Sequence, residues 1–328
     1  MDKRLQALTV WAAKVLGRTD LGITPASADA SFRRYFRVRT GGTDSFIVMD
    51  APPTHEDTAP FIRTASKFLQ LGLNVPEILE QDIGNGFLLL SDLGDTTYLS
   101  RLTPDTVDRL YGDALGALVV LQAGTFTDPE FFPPYDEVRL RAELELFREW
   151  YVPRRLGHTL SAAEHAVIDH AFDLLCASAL SQPRVWVHRD YHSRNLMVTE
   201  RNNPGILDFQ DAVTGPVTYD LASLLRDCYI EWPQQRVDGW VNGYYQLARQ
   251  SGLPLEADED VFHRWFDRMG VQRHVKVLGI FSRLYYRDGK SAYLDDLPLV
   301  FNYVQRVCRR YDDLRPFYEL LLRLRGAG

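Results

Sequence analysis

The sequence predicts an α+β protein in two unequal parts, a small sheet-rich one over residues 1–91 and a larger helical one over residues 92–328. Short runs rich in β-branched and aromatic residues, separated by glycine turns, dominate the first part. After Ser91-Asp92-Leu93-Gly94 the apolar residues recur at helical spacing over long stretches, with one β-rich island from Val185 to Phe209. Composition agrees: 328 residues, 45% hydrophobic and 25% charged, have the balance of a globular chain with room for about two cores.

At the N-terminus Leu5, Leu8, Ala12, Val15 and Leu16 lie on one helical face, while Gln6, Thr9 and Lys14 break what would otherwise resemble a signal sequence. An amphipathic surface helix is therefore expected. Ser31 to Arg39 and Ser45 to Met49, joined by Gly41-Gly42, read as a β-hairpin. Arginines 33, 34, 37 and 39 sit among aromatics there, as in a nucleic-acid-binding strand, but stems covering the outer face of an antiparallel strand explain them better. A helix from Thr58 to Leu71 closes at Gly72, and strands follow near Glu77 to Gln81 and Gly86 to Leu90. Helices are then expected at 104–122, 136–151, 161–181, 218–230, 234–251, 258–286 and 295–324. The Pro-containing loop from Gly124 to Tyr135 reads as a packed connector rather than a substrate-facing flap.

Charge narrows the partners. With 37 basic and 44 acidic side chains the net charge is −7, so the chain exerts no general pull on nucleic acid or anionic lipid. A small molecule is the expected partner, any anionic ligand must meet a local basic site, and no protein partner is implied. The apolar stretch Leu115 to Leu121 is far too short to span a bilayer. Cys176, Cys228 and Cys308 lie 52 and 80 residues apart, which excludes a zinc-ribbon spacing and suits a reducing compartment, so a cytoplasmic location is expected.

The island carries the chemistry. It reads His188-Arg189-Asp190-Tyr191-His192-Ser193-Arg194-Asn195 between apolar strands, and a further strand, Gly205 to Leu207, ends in Asp208. Asp190 precedes Asn195 by five residues and Asp208 by 18, so two carboxylates and an amide sit at the ends of short strands. Metal-assisted phosphoryl transfer needs such a set: a carboxylate to accept a hydroxyl proton, and hard oxygen ligands to hold Mg²⁺ against phosphates. Asp190 suits the first role, Asn195 and Asp208 the second; His188 is expected to brace the loop rather than react. Reading His188-x-Asp190-x-His192 as a hydrolase metal cluster fails for want of a further His or Cys nearby.

HRDYHSRN, followed by ILDFQD and GPVTYDLASLL, resembles the aminoglycoside phosphotransferase and choline kinase group of the two-lobed protein-kinase-like fold. The resemblance implies ATP and Mg²⁺ as cofactors, Asp190 as catalytic base, Asn195 and Asp208 on Mg²⁺, and Asp220 bracing the catalytic loop. It makes residues 1–91 a nucleotide-binding lobe and 92–328 a catalytic and substrate-binding lobe, with adenine on main-chain groups near Ser91, Asp92 and Leu93. Finer texture, in FIVMDAPP, HRDYHSRNLM and QRHVKVLGIFSRLYYRDGK, is similar to the bacterial amino-sugar kinases that phosphorylate N-acetylmuramate and N-acetylglucosamine at the anomeric hydroxyl in peptidoglycan recycling.

Two departures stand out. Such a small lobe usually carries a Lys on its third strand, paired with a helix Glu; here Met49 and Arg63 occupy those places, and no G-x-G-x-x-G is present. Arg33, Arg34 or Arg63, with backbone N–H groups of Ser27 to Ser31, are the expected replacements at the phosphates. The late basic stretch offers Arg273 and His274 as substrate residues, because a lactyl carboxylate favours a fork-shaped Arg, and Arg194, within the catalytic loop, is a further substrate-binding candidate. As a helix this stretch places 273, 276 or 277, and 280 on one face and 274 on another, with a solvated face as the simpler expectation. An antibiotic or choline-type kinase and a silent nucleotide-binding pseudokinase are the competing readings.

Overall fold

The computed structural model describes residues 2–28, 32–42 and 44–326. Along the chain run α1 (Lys3–Leu16), β1 (Gly22–Ala28), β2 (Arg34–Arg39), β3 (Ser45–Asp50), α2 (Ala59–Gln70), β4 (Ile78–Asp82), β5 (Phe87–Ser91), α3 (Tyr98–Arg101) and α4 (Val107–Ala123). Then come α5 (Glu137–Leu146), α6 (Ala162–Leu180), β6 (Arg184–Val187), β7 (Leu196–Met197), β8 (Gly205–Ile206), β9 (Val213–Pro216), α7 (Tyr219–Leu225), α8 (Gln234–Gln250), α9 (Glu259–Tyr286), α10 (Leu297–Arg310) and α11 (Arg315–Gly326). The chain divides into two compact units, one of residues 1–114 with 194–211, the other of 115–193 with 212–328.

In the first unit the strands form an antiparallel sheet in the order β1-β2-β3-β5-β4. Strand β1 is not among the expected strands: its GITPASA has neither alternation nor aromatics and contains Pro25, tolerated there because β1 is an edge strand. The expected phosphate-contacting loop falls partly on residues 29–31, outside the described residues. Helix α1 begins where Asp2 accepts the N–H groups of Arg4 and Leu5 and ends at Gly17 with φ 62°. It is more than a surface helix: Leu8 and Ala12 are fully buried against Phe36, Val38, Val48, Phe87 and Leu89. Burial of Leu8 alone contributes roughly 1.5–3 kcal/mol. The arginines of β2 cover the sheet as expected, Arg34 reaching the buried Asp50 and Arg37 reaching Asp92.

The β7–β8 ribbon belongs to this unit. Ile206 N–H donates to the Asn74 carbonyl at 2.7 Å, Val198 N–H to that of Thr96 at 2.8 Å, and the Asn203 amide to Tyr98 and Asp113. Phe209, which follows Asp208, packs its ring 4.9 Å from Phe61 and 5.8 Å from Phe68 of α2.

The second unit is helical around α9, and β6 pairs with β9, which contacts α6. Gly279 lets α9 approach the backbone at the end of α5, since a Cβ there would lie 2.4 Å from the Leu146 carbonyl carbon. Helix α5 passes into a π-helical segment, Phe147–Arg155, that accommodates Pro153. The 124–135 loop is a packed connector: Phe132 meets the Trp186 ring edge-on, and Tyr135 N–H donates to the Thr214 carbonyl at 2.9 Å. The expected single helix over 295–324 is two. Apolar periodicity continues through Leu314, but Asp312, Asp313 and Pro316 carry the start signals of a new helix, and the chain turns at Tyr311.

Candidate active site

Strand β6 is apolar and buried through Val187, which delivers His188 into the interior and leaves a polar loop beyond it. The N–H groups of His188 and Arg189 both donate to the fully buried Asp220, at 2.6 and 3.0 Å. Arg189 has φ 78°, a left-handed conformation that a non-glycine residue holds only where its surroundings impose it. Asp190 N–H then donates to His188 Nδ1 at 3.2 Å, within the same turn. A second carboxylate completes the scaffold: Asp227 accepts the Ser193 N–H at 2.9 Å and that of Tyr229 at 3.2 Å. Burial pushes the Asp220 carboxyl up to about 7, against the pull of its two N–H donors.

Asp190 lines a cavity with His192, Tyr229, Arg273, Lys276 and Phe281, the last three presented by α9. The rings of Tyr229 and Phe281 stack at 6.3 Å with their planes 26° apart. Lys276 Nζ lies 3.0 Å from the Tyr219 hydroxyl and 3.2 Å from Glu143, which also pairs with Arg189 and Tyr135. Burial pushes the Lys276 ammonium down, but the Tyr219 hydroxyl and the Glu143 carboxylate more than reverse it, so the group stays charged. Burial likewise pushes Asp190 up, yet Lys276, His192, Arg273 and Arg189 together hold its carboxyl below the ordinary value. Asp190 is thus an ionised carboxylate in a cationic, aromatic-walled hollow.

Within the first unit β7 and β8 set Asn195 and Asp208 side by side. Leu207 N–H donates to the Asn195 carbonyl at 2.9 Å, and the Asn195 amide nitrogen lies 3.4 Å from Asp208 Oδ2. Asp208 has φ 61° and a side chain 31% exposed. Its Oδ1 accepts from Gln210 at 2.7 Å, with Arg33 Nη2 at 3.8 Å. The Asp208 carboxylate, with an amide beside it able to turn its oxygen inward, offers hard oxygen ligands of the kind a divalent cation takes once the N–H donors yield their places.

The remaining expected residues are placed as follows. Arg33 lies between Glu56 and Asp208, 3.8 Å from each, whereas Arg34 is engaged by Asp50 and Asp2 and Arg63 is exposed on α2. Met49, at the missing Lys position, is fully buried. Ser91 ends β5, Asp92 is held by Arg37 and the Gly94 N–H, and Leu93 would meet any side chain placed at Gly205. Arg194 is exposed. The late basic stretch is not a solvated face: Arg273, His274 and Lys276 are all buried. Only Arg273 and Lys276 of these line the cavity; His274 stacks on Tyr303 at 4.9 Å and donates Nε2–H to the Arg226 carbonyl. Tyr229 and Phe281 stand outside the expected set, and Lys276 belongs to the expected basic stretch without being singled out as a site residue. The signal for Lys276 is that it shares the helical face of Arg273.

Residues 22–255 match the model of the phosphotransferase enzyme family. The chain is 47% identical, over its whole length and 98% of the relative, to an N-acetylmuramate/N-acetylglucosamine kinase of Pseudomonas putida. It is 44% identical to one of Neisseria meningitidis, over 96% of this chain and 94% of that one. Among solved structures it resembles choline kinase LicA from Streptococcus pneumoniae, with a TM-score of 0.61 at 14% identity over 95% of this chain and 98% of that one. The ADP-bound aminoglycoside phosphotransferase APH(2'')-Ib gives a TM-score of 0.58, also at 14% identity, over 92% and 97%. With a protein-kinase-like fold, and a family match that runs across both the HRDYHSRN loop and Asp208, the chain belongs to the phosphotransferase enzyme family.

Proposed function

We propose that this protein is a cytoplasmic amino-sugar kinase of peptidoglycan recycling, transferring the γ-phosphoryl group of ATP to the anomeric C1 hydroxyl of N-acetylmuramate, N-acetylglucosamine or both. The cavity at Asp190 carries the reading. Its base is a carboxylate, its wall is aromatic, and Arg273 and Lys276 make it cationic. Aminoglycosides and choline are themselves cations and would face like charge there, whereas a neutral or acidic sugar would not. The names of the curated relatives support the same acceptors.

In this mechanism Asp190 orients the acceptor hydroxyl and takes its proton. A carboxyl held below its ordinary value is a weak base, which suits an anomeric hydroxyl, more acidic than an ordinary alcohol. Asp220 and Asp227 keep the loop in register, and Lys276 keeps Asp190 ionised. Asn195 and Asp208 would hold Mg²⁺, which when bound offsets the phosphate charge. Residues 1–91 serve as the nucleotide lobe, with adenine on main-chain groups near Ser91 to Leu93, and residues 92–328 as the catalytic and substrate lobe. Arg33, adjacent to Asp208, takes over phosphate contact from the absent strand Lys.

A coupled ADP-release assay against amino sugars, aminoglycosides and choline tests this. Turnover confined to the amino sugars is expected. Preference for an aminoglycoside or choline would replace the acceptor assignment, and no ADP release with any acceptor would indicate a nucleotide-binding regulator.

A further inference from the structure

Among the described residues the second unit buries three cations almost completely, Arg226, Arg273 and Lys276. Two have carboxylate partners: Arg226 meets Asp267 at 2.5 Å and Lys276 meets Glu143 at 3.2 Å. Arg273 does not. It is 4% exposed, its Nε has no hydrogen-bond partner, and its guanidinium contact is Nη1 to Cys228 Sγ at 3.5 Å. The nearby Asp227 carboxylate is committed to the N–H groups of Ser193 and Tyr229. Mid-helix carbonyls of α9 are occupied by the helix itself. Asp190 and Asp227 favour the Arg273 charge from a distance, but neither pairs with it, and a guanidinium out of water gains most from a carboxylate in direct contact.

We infer that the ion-pair partner comes with the acceptor: Arg273 is the specificity-determining residue that receives a carboxylate on the sugar, and the site favours acidic over neutral sugars. The inference rests on the amino-sugar kinase reading, which places the acceptor hydroxyl at Asp190 and therefore its ring substituents in the cavity Arg273 lines. Its planar fork matches a carboxylate bidentately. Lys276, already paired with Glu143, contributes charge to Asp190 but is not the residue awaiting a partner. Of the two sugars in the relatives' names only N-acetylmuramate carries a carboxylate, in its lactyl ether, so the two act as a matched pair differing at the group in question.

The experiment compares kcat/KM on both sugars in the wild type and in Arg273→Gln. Arg273→Gln should lower kcat/KM for N-acetylmuramate by about 10- to 100-fold more than for N-acetylglucosamine, any loss through the field at Asp190 being shared by both sugars. Because both sugars are measured on one preparation, loss of folded protein cancels in the ratio. Wild-type enzyme with the methyl ester of N-acetylmuramate gives a second arm needing no variant, and esterification should reproduce the same loss. Equal losses on both sugars in the variant, or an ester as good as the free acid, would overturn the assignment. A wild type inactive on both sugars would instead overturn the kinase reading beneath it.

Discussion

Asp220 receives the backbone N–H of Arg189 at 3.0 Å, at a residue whose φ is 78°. The left-handed turn is what separates His188, inside the core, from Asp190, in the cavity. Replacing Asp220 by Asn puts an amide donor where a carboxylate oxygen now accepts, so one of the two loop N–H groups loses its partner. Small displacements of a base cost rate steeply, and Asp220→Asn should lower kcat by about 10- to 100-fold with a smaller change in nucleotide affinity. Steady-state kinetics alongside calorimetric nucleotide binding would separate the two; unchanged kcat would remove Asp220 from the positioning role.

Asp220 and His274 titrate in opposite senses. Burial raises Asp220 from 3.8 to about 7, so between those values the folded state holds a proton the unfolded state lacks, and its contribution to stability falls as pH rises. Burial lowers His274 from 6.5 to about 3, so its contribution is present above 6.5 and is lost as pH falls towards 3. From about pH 4 to 6.5 the two offset each other, each at about 1.4 kcal/mol per pH unit. Urea unfolding across that range should therefore show stability rising more steeply with pH in Asp220→Asn than in wild type, and falling with pH in His274→Gln. Parallel profiles for all three proteins would contradict this.

Asp190→Asn removes the proposed proton acceptor without changing shape. General-base contributions put the loss of kcat at about 10²- to 10⁴-fold, while ATP binding should remain near that of the wild type. Retention of most activity, measured by ADP release at saturating sugar, would contradict the base assignment.

Arg33 and Arg34 are sequence neighbours with different partners. Arg34 pairs with the buried Asp50, so Arg34→Ala should cost stability, by roughly 1.5–3 kcal/mol for its charged hydrogen bonds, and leave the ATP KM unchanged. Arg33 stands beside Asp208, so Arg33→Ala should raise the ATP KM or lower kcat by about tenfold or more. Thermal melts and ATP titrations of both variants check the contrast; an unaltered ATP dependence in Arg33→Ala would sink its phosphate role.

Much of this was legible in the sequence because it is local. The H-x-D-x₄-N run, the Asp208 strand end and the helical face of 273, 276 and 280 are all short-range patterns. What escaped depends on distant partners. Strand β1 has little β propensity of its own and forms by pairing with β2; β9 is VTGP, four residues recruited by β6. Arg273 and His274 are adjacent and equally basic in sequence, yet one lines the cavity and the other is a buried neutral ring on Tyr303, a distinction fixed by which side of α9 meets α10 and which meets the Asp190 loop. The role of Lys276 needed Glu143, 133 residues away, to be visible.

The ribbon of β7 and β8 packs in the first compact unit although the chain before Arg194 and after Asp211 belongs to the second. The polypeptide is interleaved, so no single cleavage releases either unit whole. A fragment ending at Ala114 lacks the strand that bonds Asn74, and the complementary fragment carries that strand without its acceptor. Closing the Asn74–Ile206 contact also spans 132 residues, and such non-local pairing is slow to form. The Asn195–Asp208 pair should thus mature late in folding, and nascent chains should acquire nucleotide-binding competence only after synthesis has passed Asp211.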